Sequence, residues 1–472
     1  MVEFAYLVMI SFMLFSPFLF WYMTAERALV VVFVVSLLWL PQITLPVPFL
    51  KNLSHDNIPC LCVLAGILIF GSTNKRRITL SALDIPVVVA PLCPMAASLT
   101  NDLGPYDGFV GSIQYFLNYS VPFLLGRMFL ATPDGSRLLA RSFILGAMTY
   151  VLPCLIEIRF SPQLHNWFFG GGTPWGGMRL GGYRPSVFMQ NGLQLGIWMS
   201  NCAFVALCLF GDPFAKTVSR LINGKKFWTI FLINIACRST GALAGLVMGI
   251  GAVLPVRFGK SRLGLIGLLL LCPLYMSTRL TGLWDGRSLV AYSENIDKDR
   301  AGSLEVRITN EDLLMAKALQ RPFFGWGGWG RARVTDDTGK DISITDGRWI
   351  IHLGNYGLVG LFCDYWMLLL PLFVTVLRWP TVLKCSGNMT AIISISCVCT
   401  LCAIDFLSNN FPNPFYWLCA GAISGAGTFV SSHTDAGQST QQVIRQPSRM
   451  RRSLQFVHQP PDPPPSVSTI LH

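Results

Sequence analysis

Apolar residues in this chain run in blocks of roughly 17–25, the length a helix needs to cross the hydrocarbon core of a bilayer. Only closed backbone hydrogen bonding is tolerated in lipid, and helices of this length supply it. Charge agrees with hydropathy: 52% of the residues are hydrophobic and 13% are charged, about half the charge of an ordinary soluble domain. The fold class expected is all-α, a polytopic membrane bundle of about 12–13 transmembrane helices with one large extracytoplasmic loop.

Thirteen spans are expected, near residues 5–23, 27–45, 58–72, 82–100, 109–131, 138–157, 186–210, 227–237, 240–256, 262–280, 349–377, 389–408 and 414–431. The eighth, FWTIFLINIAC, is short and must be extended, tilted or broken. No cleavable signal peptide is expected, since the first apolar block begins almost at the N-terminus. No internal repeat is visible.

Basic residues set the expected orientation. TNKRR (73–77), SRLLAR (136–141), SRLINGKK (219–226), VRFGKSR (256–262) and LRWPTVLK (377–384) fall on alternate loops, whereas TNDLGPYDG (100–108) and SNNFPNPF (408–415) carry no Lys or Arg. The positive-inside rule makes the first set cytoplasmic. The net charge of +12 is then a consequence of topology, and with no basic soluble domain a nucleic-acid partner is not expected. The chain divides into helices over 1–157, an outer aromatic and Gly-rich loop over 158–185, helices over 186–280, a large outer loop with a short helix over 281–348, helices over 349–431 and a cytoplasmic tail over 432–472. The tail, with RMRR (449–452) and QPPDPPPSVS (459–468), has the composition of a disordered segment.

Nearly all of the fourteen cysteines lie in or beside the apolar blocks. CVCTLC (397–402) has the look of a metal cluster but no His or acidic neighbours, and buried thiols behave as small apolar residues. No metal and no cofactor is expected.

Two segments on the expected outer face stand out. Residues 158–185 include HNWFFGGGTPWGG (165–177), whose Trp167 and Trp175 offer planes for sugar stacking or for interfacial anchoring. Residues 281–348 hold 11 of the 24 acidic residues, a similar number of basic ones and three tryptophans, a mixture that fits a small folded lid. Within it TNEDLLMAKALQRP (309–322) reads as a helix: Thr309 or Asn310 as cap, Glu311 and Asp312 in the first turn, Lys317 at the far end and Pro322 as the stop. Next comes RPFFGWGGWGRAR (321–333), with a literal G-x-G-x-x-G at Gly325, Gly327 and Gly330. A dinucleotide fingerprint follows a strand and opens a helix. Here the glycines follow a helix, so a glycine-rich turn is expected, with Trp326 and Trp329 near the interface.

Arginines carry the sharper signal. Arg184 is expected at the entry of the seventh span, with Gln190 and Asn191 about two turns inside it; Arg238 sits at the break between the eighth and ninth spans; Arg300 and Arg307 precede the lid helix. A charge at membrane depth costs several kcal/mol unless it is paired or reaches water. Each arginine alone could snorkel to the interface. Together on one face they form a planar, permanently charged donor set suited to phosphate or pyrophosphate.

Four motifs occur in order: R-P-x-x-F-x-x-N (Arg184 to Asn191), R-S-T-G-A (Arg238 to Ala242), R-x14-P-x-x-G-x-G (Arg307, Pro322, Gly325, Gly327) and D-x10-G-x-x-G (Asp346, Gly357, Gly360). In residues 180–362 the chain resembles the O-antigen polymerase and ligase superfamily of integral membrane glycosyltransferases. The resemblance implies a multi-pass protein of the plasma (inner) membrane, its large loop extracytoplasmic and its C-terminus cytoplasmic. It would join a saccharide from an undecaprenyl-pyrophosphate carrier to an acceptor glycan without nucleotide or metal, in the company of other envelope polysaccharide assembly proteins. Arg184, Arg238 and Arg300 would then bind the pyrophosphate, Arg307 would stabilise it as it leaves, and Asn191, Trp167 and Trp175 would contact sugar or acceptor. Ligases of the family usually carry histidine where Asp346 stands. His352 lies six residues on, about 240° around a helix, and so does not share its face. Asp346 reads either as general base or orienting group for the acceptor hydroxyl, or as an N-cap for the next span. The substitution favours polymerase over ligase, with a ligase-type enzyme carrying Asp, or a member without activity, as variants. Glu157 is a further polar candidate without an evident partner.

Two other classes stay open. A transporter or flippase of a lipid-linked or anionic substrate would use the same arginines without chemistry, but such proteins often show repeats and paired broken helices. A structural or sensory protein would leave the arginines apart.

Overall fold

The computed structural model describes residues 2–45, 47, 52–71, 80–170, 177–179, 181–210, 224–295, 298–328, 330–379, 382 and 389–425, without the side chains of 298–300. Each of the thirteen apolar blocks holds helix among the described residues. Seven helices are long and apolar enough to cross a membrane: Val2–Tyr22, Ala82–Thr100, Pro133–Phe160, Gly192–Leu209, Thr240–Gly259, Leu263–Leu280 and Arg348–Leu377. The apolar helices Ile58–Phe70 and Met389–Asp405 are shorter. Only two antiparallel two-residue pairings are described, Thr44–Leu45 with Leu53–Ser54 and Met178–Arg179 with Gly182–Tyr183.

Burial separates centre from periphery. The Gly192–Leu209 and Arg348–Leu377 helices are 78% buried over their most apolar stretch, whereas Thr240–Gly259 and Leu263–Leu280 are 28% and 22% buried at comparable hydropathy. Outer helices leave large apolar side chains such as Val247, Phe258, Leu263 and Leu274 uncovered. So much exposed apolar surface is compatible with a membrane-embedded protein. Cys397, Cys399 and Cys402 are buried among apolar neighbours in the Met389–Asp405 helix.

The long Arg348–Leu377 helix is physically two helices. Gly357 takes φ +66° and ψ −166°, and the two flanking pieces meet at a sharp bend. Arg348 and Asp364 prove the bend. Sixteen positions along a straight helix would hold them about 24 Å apart, yet Arg348 Nε lies 2.7 Å from Asp364 Oδ2. The glycine-rich turn satisfies the backbone groups freed there. Leu358 N–H donates to Pro322 O and Val359 N–H to Phe323 O, while Trp326 and Gly327 N–H donate to the carbonyls of Gly354 and Asn355. Gly325, Gly327 and Gly330 all have positive φ, and they follow the Lys298–Ala318 helix, where a dinucleotide loop would follow a strand. Trp326 is held by Lys317 at 4.4 Å and Arg321 at 5.0 Å from its ring, and its Nε1 donates to Lys317 O.

Ala at 357 would place a Cβ 2.3 Å from the Phe323 backbone in a conformation L-residues avoid. Gly357→Ala is therefore expected to cost at least about 2 kcal/mol. Gly245→Ala, where a Cβ meets nothing within 4 Å, should be neutral or slightly stabilising. Thermal unfolding of the two variants in detergent checks the contrast.

Three expectations need correction. The lid helix spans Lys298–Ala318, so Thr309 and Asn310 lie in its body and cannot cap it; Asn310 Oδ1 instead accepts from Ile344 N–H. Glu311 and Asp312 are not first-turn residues: both pair with Arg279. The seventh block becomes helical only at Gly192, and Gln190 and Asn191 precede it, with Asn191 as its N-cap accepting from Leu193 and Gln194 N–H. The sequence between Arg184 and Asn191 is used in a tight turn instead. The basic run 73–77, most of 219–226 and the tail lie outside the described residues.

Candidate functional site

Two separate arginine groups lie at one end of the bundle. The first hangs on the Met178–Arg179 and Gly182–Tyr183 hairpin. Arg184 is 6% exposed, its stem lies over Gly192, and its Nη2 donates to Ser239 Oγ at 2.9 Å. Its Nε has no hydrogen-bond partner. Arg238 interrupts the chain between the Gly224–Ala236 and Thr240–Gly259 helices, with φ +52°. Its guanidinium rests against Gly182 and donates to Arg179 O at 2.7 Å. Arg179, which sequence reasoning passed over, adds a third cation. Burial first, and then repulsion from Arg179, pushes the Arg184 guanidinium down to about 10. A buried cation that meets a hydroxyl and a second cation, Arg179, is electrostatically unbalanced, and a bound anion would offset it.

Glu157 finds its partners here. Its carboxylate accepts from Leu164, Ser186 and Val187 N–H at 2.9, 2.7 and 2.6 Å. Val187 has φ +55°, an uncommon conformation for a β-branched residue. Glu157 thus clamps the turn that presents Arg184.

The second group sits between the lid helix and the start of the Arg348–Leu377 helix. Arg307 Nε lies 3.2 Å from Asp346 Oδ2, with the side chains 31% and 43% exposed. Both line a cavity of about 160 Å³ with Tyr275 and Glu311. Tyr275 O–H and Trp349 Nε1 donate to Glu311 at 2.8 and 3.1 Å. Burial, the largest influence, raises the Glu311 carboxyl above its usual range against these donors and Arg279. The N-cap reading of Asp346 is overturned: Gly347 is the cap, with no side-chain cap bond, and the Asp346 carboxylate points instead to Arg307.

Contacts put both groups at the same end. The Thr240–Gly259 and Leu263–Leu280 helices run antiparallel, Gly264 packing on Ala252, which brings Ser239 and Arg279 level. Arg279 Nη2 bonds Asp312 at 2.8 Å, Glu311 bonds Trp349, and Arg348 N–H donates to Asn409 O. The described contacts join Arg184 with Ser239 and Arg307 with Asp346 as separate pairs.

A third group was missed altogether. Arg348 and Asp364 form a bidentate pair, Nε to Oδ2 at 2.7 Å and Nη2 to Oδ1 at 2.9 Å, and Tyr115 O–H donates to Asp364 at 2.8 Å. Arg348 faces the rings of Tyr119, Trp417 and Phe406. His352 is buried beside it, 3.8 Å from Asp364, away from the cavity of Asp346. This ionic core anchors the folded-back helix that follows Asp346.

Of the other expected contacts, Asn191 is committed to capping and Trp167 stands 56% exposed in the Leu164–Phe169 helix. Trp175, Trp329 and the side chain of Arg300 lie outside the described residues. Comparison with known proteins finds no family model and no curated protein that matches this chain, so the resemblance in residues 180–362 rests on its motifs alone.

Proposed function

We propose that this chain is a membrane glycosyltransferase that joins a saccharide from an undecaprenyl-pyrophosphate carrier to an acceptor glycan at the outer face of the membrane, as an O-antigen or polysaccharide polymerase does. The observation that carries the reading is Arg184: a buried guanidinium with a hydroxyl and no carboxylate among its described partners, beside Arg179 and Arg238, at the end of the bundle where Arg307 and Asp346 line a cavity. The basic loops expected at the opposite end support an outward orientation.

In this reading the acceptor hydroxyl loses its proton to Asp346 as its oxygen bonds to the anomeric carbon of the donor sugar. The bond from that carbon to the pyrophosphate oxygen breaks, and the electron pair leaves with the pyrophosphate. Arg184 and Arg238 hold the diphosphate, and preorganised donors of this kind stabilise charge where it develops. Arg307 aims the Asp346 carboxylate and is near enough to the same cavity to meet the leaving group. The proton passes from Asp346 to water afterwards.

A transporter would use a broken helix to hold its substrate or ion on freed backbone groups. At Gly357 those groups are bonded to residues 322–327, which supports reading that break as structural. The test is elongation: purified protein in nanodiscs, given a lipid-linked oligosaccharide, should yield product longer than the oligosaccharide supplied. Unchanged substrate with demonstrably folded protein rejects the reading.

A further inference from the structure

A cavity larger than that of Arg307 and Asp346 lies apart from the Arg184 and Arg307 groups. It measures about 510 Å³, inside the range of about 300–1,000 Å³ usual for small-molecule sites. Its walls are the Ala82–Thr100 helix and the helical stretch from Pro105, and the glycine-rich turn borders it through Gly327, Gly328 and Arg331.

Four tyrosines line it: Tyr106, Tyr115, Tyr119 and Tyr356. Three of them hold one another edge to face, with Tyr115 4.8 Å from Tyr119 and 6.0 Å from Tyr356 between ring centroids. Tyr115 and Tyr119 are fixed from behind by Asp364 and Arg348, so the wall is preorganised. Tyr106 is 61% exposed, as a rim residue would be. The remaining polar lining includes two amides, Gln114 and Asn118. Asn118 is 8% exposed, and its Oδ1 is buried without a hydrogen-bond partner. Asn118 lines the cavity, and a buried amide oxygen without a partner calls for a donor.

Charge narrows the occupant. Among the described residues, the ionised groups lining the cavity are Asp107 and Arg331, which pair with each other at 3.2 Å; behind the wall, Arg348 and Asp364 are likewise paired. The described lining therefore offers no surplus charge to a phosphate. Rings for stacking, amides and hydroxyls together match a flat apolar face edged by hydroxyl groups. We propose that this cavity binds the ring of a neutral saccharide, on the Tyr115–Tyr119–Tyr356 wall, with a sugar hydroxyl donating to Asn118 and Tyr106 closing the rim. The site stands on its own geometry and holds whether or not the arginine groups carry out transfer.

Binding is measured directly, without a lipid-linked donor. Protein in nanodiscs is titrated with the methyl glycosides of glucose, galactose, N-acetylglucosamine and rhamnose and followed by saturation-transfer NMR. At least one glycoside should show transfer to its ring protons. Its affinity should fall about tenfold in Tyr106→Ala and in Asn118→Leu, and stay unchanged in Gly245→Ala. Tyr106→Ala alters an exposed rim and keeps the test valid if Asn118→Leu fails to fold. No transfer from any glycoside, equal binding in wild type and Tyr106→Ala, or displacement of the sugar by pyrophosphate or by decanol would each overturn the proposal.

Discussion

Asp364→Ala is expected to destabilise the protein by about 3–5 kcal/mol, because breaking a buried ion pair leaves its partner charged and unpaired. Arg348 is 2% exposed and both of its bonds to Asp364 are short. Three aromatic rings surround its guanidinium, and they cannot replace a carboxylate. The variant also frees Tyr115 O–H. Removing both charges at once, in Arg348→Met with Asp364→Leu, should recover most of the loss, since paired burial is close to neutral against an apolar isostere. Chemical denaturation in detergent, read by tryptophan fluorescence, separates the cases. A loss under about 1 kcal/mol for Asp364→Ala, the value of a surface pair, would mean that this pair does not hold the bent helix.

Asp346→Asn should behave in the opposite way: little change in stability and a large change in turnover. The Arg307–Asp346 pair is partly exposed, so its loss costs about 0–1 kcal/mol. A general base contributes about 10²–10⁴-fold, and elongation by Asp346→Asn should fall by that factor. Asp346→Glu, which keeps a carboxylate, should retain part of the rate. Arg307→Ala should also stop elongation while leaving insertion and abundance unchanged. Elongation at the wild-type rate in Asp346→Asn would remove the carboxylate from the mechanism.

What could be read in the sequence follows from the range of the interactions. Helices were legible because a long apolar run needs no tertiary information. The glycine-rich turn was legible too, since the neighbours of Gly325 and Gly327 already excluded a phosphate loop. Its partner was not, because the bend at Gly357 that it seals joins backbone groups about thirty positions away. Arg348 and Asp364 were invisible as a pair for the same reason: on a straight helix they cannot meet. Glu157 was visible as a charge without a partner, and its partners proved to be N–H groups of residues 164, 186 and 187, which carry no side-chain signature. The lid helix began earlier than expected because Thr309 and Asn310 resemble a cap wherever they occur, and only Arg279, reaching from another helix, shows that Glu311 and Asp312 are tertiary partners. Arg179 was overlooked within a loop read for its aromatics. The arginine motifs pointed to one end of the bundle, and the contacts place Arg184, Arg238 and Arg307 at the same end, in two groups.

The central claim is that the Arg184 group holds a diphosphate. Because burial and Arg179 lower its folded value to about 10, below the usual guanidinium range, the charge of Arg184 opposes folding at neutral pH, and that penalty is relieved only as pH rises above about 10. Arg184→Met should therefore fold at least as well as wild type at pH 7. Isothermal titration of inorganic pyrophosphate into wild type and Arg184→Met in nanodiscs is the direct measurement. Saturable binding by wild type, weakened at least about tenfold in Arg184→Met and falling with added salt, is the expected result. Equal pyrophosphate affinity in the two proteins, or none in wild type, would contradict it.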